Sequence, residues 1–114
     1  MHSPATPQIT IVTTTVASAA DAHRLASGCV QARLAACAQV EAIASHYVWQ
    51  GALHEDAEWR VTCKTTPQAA GALLQWLRGA HPYELPQLVA QPAQASADYA
   101  QWVAQQVDAP GSGV

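Results

Sequence analysis

The sequence holds no stretch near the roughly 20 apolar residues that a membrane-spanning helix needs. Its first residues, MHSPATPQ, carry neither the cationic segment nor the apolar run of a secretory leader. A soluble, cytoplasmic protein with no membrane partner is therefore expected. Positive charge is sparse: Arg24, Arg33, Arg60, Lys64 and Arg78 stand scattered against eight acidic residues, a net charge of −3. That leaves no basic stripe for nucleic acid. The three cysteines, Cys29, Cys37 and Cys63, are odd in number and form no CxxC pair. A disulfide framework and a self-contained zinc finger are both poorly supported, and reduced thiols fit best. GxSxG, a phosphate-binding glycine loop and HExxH are absent. His2, His23, His46 and His54 have no partner at metal-ligand spacing and read as surface residues.

What is present suits one core. In 114 residues, 50% of them hydrophobic, a single domain over residues 8–107 is expected, with loose tails at 1–7 and 108–114. Ile9 to Thr14 alternate as a β-branched strand. Ser18, with Asp21 three residues on, starts a helix in which Leu25, Ala26, Cys29, Val30 and Leu34 recur at helical spacing, and Gly28 weakens it. From Cys37 the period is two, with Ala38, Val40 and Ala42 on one face. Past Ala44 the large residues shift to Ser45, Tyr47 and Trp49, so a bulge near 42–45 is expected.

Gln50-Gly51-Ala52 turns the chain into a strand with Trp59, Val61 and Cys63 on one side. About 13 residues per strand at ~3.3 Å each reach roughly 43 Å, against a diameter of about 34 Å for a compact chain of this length. The hairpin should overhang its own domain, and a second copy of the chain is the simplest cover for its exposed edge and rings.

Thr66-Pro67 reads as a cap and first position of a second helix carrying Leu73, Leu74 and Leu77, closed by Gly79. Leu88–Ala90 reads as a short strand limited by Pro92. A last helix, capped by Ser96, places Tyr99, Trp102 and Val103 on one face. The order β-α-β-β-α-β-α predicts an α+β ferredoxin-like split βαβ sandwich with an added C-terminal helix.

The stretch HPYELP at 81–86 is stiffened by its two prolines, which bias His81 and Leu85 toward extended backbone. A histidine held this way can bind a metal, carry a proton or bond a neighbouring carbonyl. Cys37, at the start of a strand, can be a soft ligand or an inert structural thiol. Cys29 and Cys63 fall on apolar stripes and read as core.

Together LAAC at 34–37, YVWQG at 47–51, CKTTP at 63–67 and HPYELP resemble the CutA family of divalent-cation tolerance proteins over Ile9 to Val103. The resemblance implies a cytoplasmic homotrimer, PII-like in architecture, that is not an enzyme and has no obligatory cofactor. It further implies a role in divalent-metal tolerance, with copper or another divalent cation bound weakly through Cys37 and His81. The family's cysteine late in the first strand is Thr13 here, and its glutamates after the tryptophan and after the second proline are Gln50 and Gln87. The competing reading is a regulatory trimer that binds a small anionic ligand in clefts between subunits, lined by Trp49, Glu58, Lys64, Tyr83 and Glu84. A proton-transfer role for His81 beside Glu84 has the least support, because no substrate-binding motif accompanies the pair.

Overall fold

A computed structural model describes residues 7–107. The elements run β1 (Gln8–Val16), α1 (Ala19–Gln31), β2 (Cys37–Trp49), β3 (Ala52–Thr65), α2 (Ala70–Ala80), β4 (Val89–Gln94) and α3 (Ala97–Gln106). The strands form one antiparallel sheet in the order β2-β3-β1-β4. This is the expected ferredoxin-like α+β arrangement. The tails lie outside the described residues except Pro7, whose carbonyl accepts the Ala95 N–H at 3.1 Å.

Strand alternation divides the core between two faces. Val12 and Val16 of β1 and Val61 and Cys63 of β3 meet Leu25, Ala26 and Cys29 of α1 and Leu73 and Leu77 of α2, all buried. On the other face Ile9 packs with Val103 and Val107 of the C-terminal segment. α3 thus covers one end of that face.

Local signals decide most boundaries. Ser18 caps α1 by accepting the Asp21 N–H at 3.1 Å. The helix stops at Gln31 rather than running on through Leu34, because Arg33 turns to φ 59° and the Leu34 N–H bonds back to the Cys29 carbonyl at 3.0 Å. Gly28 leaves room for Trp76: a Cβ there would stand 2.7 Å from the tip of the indole. α2 begins later than expected. Thr66 caps a preceding turn by accepting the Ala69 N–H at 3.1 Å, and the helix starts at Ala70. Gly79 lies inside it; the stop is Pro82, which holds His81 extended at φ −77°, ψ 137°.

Two strand expectations are corrected. The β2–β3 ladder runs without interruption from Cys37↔Lys64 to Trp49↔Ala52, so no bulge exists at 42–45. The large residues change face there because the hairpin has passed the helix layer: β1 pairs with β3 only as far as Val16↔Trp59. Pro92, in turn, lies within β4 opposite Thr10. An edge strand tolerates it, since a nitrogen facing away from the sheet has no ladder bond to lose.

The hairpin overhangs as its length predicted. Seven residue pairs, from Ile43↔Glu58 outward, lie beyond the end of β1. Gln50 (φ 51°) and Gly51 (φ 79°) close it in a two-residue turn with both φ positive, which matches the twist of the flanking strands. The chain measures 55 × 32 × 21 Å with a radius of gyration of 15.6 Å, against about 13 Å for a compact domain.

Candidate functional site

β4 pairs with β1 only up to Thr13↔Val89, so the last residues of β1 have no outer strand. The HPYELP segment fills that place. His81 Nε2 lies 3.0 Å from the Thr15 carbonyl oxygen and 2.9 Å from Thr14 Oγ1, while the Tyr83 N–H donates to Nδ1 at 3.1 Å. A carbonyl only accepts and a backbone N–H only donates, so Nε2 carries the proton and Nδ1 spends its lone pair on Tyr83. Burial pushes the His81 imidazole below its ordinary value of 6.5, with the Thr15 carbonyl pulling the other way. The histidine therefore acts here as a neutral brace between the loop and β1.

The braced loop and the base of the overhang enclose a cleft of about 810 Å³. Ser45, Tyr47, Trp49 and Glu58 come from the hairpin, on the sheet face opposite α1 and α2; Tyr83 and Glu84 come from the loop. Tyr83 donates its hydroxyl to Glu58 Oε2 at 2.8 Å, joining the two walls. Partial burial and the Glu58 carboxylate push the Tyr83 phenol well above the usual range. Tyr47 donates to Asp56 on the opposing strand and stacks on His54, with ring centroids 5.4 Å apart. Among the described residues no lysine or arginine lines the cleft, which holds the carboxylates of Glu58 and Glu84 and the imidazole of His46.

Of the five residues expected to line a cleft between subunits, Trp49, Glu58, Tyr83 and Glu84 lie together within one chain. Lys64 does not line this cleft. It lies six residues further along β3 than Glu58, about 20 Å at the strand rise, and its ammonium sits 5.9 Å from the centre of the Tyr99 ring. Reading the chain for chemistry missed Tyr47, Thr15 and His46 as lining residues. The one available signal was the Ser45, Tyr47, Trp49 alternation, which puts Tyr47 on the wall beside Trp49.

Cys37 and His81 do not come together within one chain. Cys37 is opposite Lys64 and hence in the row of Ile11, whereas His81 touches Thr14 and Thr15. Three to four residues along and two strands across amount to roughly 14–16 Å, beyond the reach of one ion. Among the described residues no group of three or more His, Cys, Asp or Glu is arranged to hold a metal. None of their helices is long and apolar enough to cross a membrane.

A family profile described as CutA1 divalent ion tolerance protein matches residues 10–106, most of the chain. The chain belongs to the CutA1 family. Among CutA relatives, the "Divalent-cation tolerance protein CutA" of Thermus thermophilus is 38% identical over 95 residues, covering 82% of this chain and 92% of that one. Human "Protein CutA" is 38% identical over 86 residues, covering 74% of this chain, which spans only 48% of the human protein's length. The solved CutA structure from Synechococcus elongatus superposes with a TM-score of 0.85 at 36% identity, over 90% of this chain and 93% of that one.

Proposed function

We propose that this CutA1 chain works in divalent-metal tolerance as a non-enzymatic cytoplasmic homotrimer, with the hairpin–HPYELP cleft as its ligand site. The observation that carries the reading is the cleft's lining among the described residues: the carboxylates Glu58 and Glu84 with Tyr83, Trp49 and the His46 imidazole, and no lysine or arginine. Such a lining favours a cation. A small organic anion, as a PII-like regulator would bind, would have to draw its positive partners from a neighbouring chain.

Copper binding in this reading is weak. Cys37 supplies a soft thiol donor; the His81 of the same chain is out of its reach, so an imidazole donor has to come from a neighbouring chain, with Nδ1 released from Tyr83. A third donor comes from another chain or from solvent.

Copper(II) and a panel of organic anions titrated into the protein, followed by tryptophan fluorescence, test the proposal. Glu58→Gln and Glu84→Gln are each expected to weaken the cation response roughly tenfold, the equivalent of ~1.4 kcal/mol. Cys37→Ser should remove the copper-specific part. A metal-independent response to an anion, unchanged in both Gln variants, would replace this reading with the regulatory one.

A further inference from the structure

Cys29 and Cys63 have no part in the cleft, and they touch. Cys29 lies on the buried face of α1 and Cys63 on the helix-facing side of β3, with Sγ atoms 3.8 Å apart and neither residue exposed. The contact has a direction. Cys29 donates its S–H to the Ala26 carbonyl at 3.4 Å, so in the pair it accepts from Cys63. Leu25, Ala26, Val61 and Leu73 belong to the same buried cluster.

We propose that Cys29 and Cys63 form a redox modification site, a dithiol that a small hydroperoxide converts to an intrachain disulfide joining α1 to β3. The Cys29 sulfur, as its thiolate, attacks the peroxide oxygen. The O–O bond breaks, water or an alcohol leaves, and Cys29 becomes a sulfenic acid. Cys63 then attacks the sulfenic sulfur, the S–O bond breaks, and a second water departs with the Cys63 proton. Two thiols and one hydroperoxide give one disulfide, one water and one water or alcohol.

Geometry and surroundings favour this product. A disulfide needs the sulfurs at about 2.05 Å, an approach of roughly 1.8 Å shared by two side chains already in contact. The product is neutral, whereas oxidation to a sulfinate would place an unpaired anion in the apolar core. The hydrogen bond from Cys63 lowers the Cys29 thiol, and that contact together with burial pushes the Cys63 thiol up, consistent with Cys29 as the first nucleophile. Cys37 cannot compete for the pair. Its strand neighbour Ala38 is the residue opposite Cys63, and Cys37 itself faces the other side of the sheet. The 34-residue separation makes the closed loop long, and loops of that size gain most from closure.

The test uses the full chain carrying Cys37→Ser, exposed to hydrogen peroxide, then unfolded and alkylated. Expected are a mass lower by two hydrogens, no alkylation, a Cys29–Cys63 linked peptide and a rise in Tm that dithiothreitol reverses. Two alkylatable thiols after prolonged exposure, or oxygen added to either sulfur without a linked peptide, would overturn the proposal. Adding Cys63→Ser, with circular dichroism as a check on folding, should leave Cys29 as a sulfenic acid that dimedone traps. A folded variant that dimedone does not label would overturn the order of attack.

Discussion

His81 shows how one side chain can close an edge. β4 stops pairing at Thr13, and the imidazole takes over the Thr15 carbonyl that a longer strand would have reached. His81→Ala removes these bonds and leaves Thr14, Thr15 and the Tyr83 N–H to find other partners, at a cost of about 1–3 kcal/mol; urea unfolding measures it. Because burial depresses its pKa, the unfolded chain takes up the proton first as the pH falls. The stability tied to neutral His81 is thus complete above pH ~6.5 and erodes below it, toward the lower pKa of the folded state. Tm measured from pH 7.5 downward should fall more steeply for the native chain than for His81→Gln. At Gly28 two effects oppose each other. Alanine would gain about 1 kcal/mol of helix propensity, but its Cβ would meet the Trp76 ring at 2.7 Å. Overpacking of ~1–3 kcal/mol decides for a net loss, checked by the same unfolding curve.

Among the elements, the β2–β3 hairpin depends on its turn. Gln50 sits at φ 51°, a conformation costly for an ordinary side chain, and asparagine visits it more readily. Gln50→Asn should recover a fraction of the roughly 1–2 kcal/mol involved, read as slower amide exchange at the hairpin end. Gly51→Ala, at φ 79°, should speed that exchange. Both act locally, since the last seven pairs touch no third strand. Proline within β4 follows the same logic of position: it stands on an edge, where the ladder ends.

At the scale of the whole molecule, the overhang leaves Val48 and Leu53, a directly opposed pair, 69% and 78% exposed. A long apolar edge of this kind invites pairing with another chain. Val48→Lys combined with Leu53→Lys is expected to reduce the mass in sedimentation equilibrium from that of the proposed trimer toward the 12.0 kDa of one chain. A native chain that already sediments at that mass would refute the trimer and any cleft shared between subunits.

The order of elements, the apolar stripes of the first two helices and the excess length of the hairpin were all readable from residue spacing, because alternation and helical period are local properties. The two prolines of HPYELP likewise announced a rigid loop. Contacts between distant segments decided the rest. Of the readings open to His81, the bond to a neighbouring carbonyl is the one made within the chain, because Thr14 and Thr15, more than sixty positions earlier, reach its Nε2. Lys64 lies outside the cleft formed within one chain because the register places it six residues along the strand from Glu58. Cys29 and Cys63 read separately as two unremarkable core residues, and only the packing of α1 on β3 set their sulfurs side by side. Periodicity specifies which face a side chain takes, but the partner it meets there depends on the register and layer packing of the folded chain.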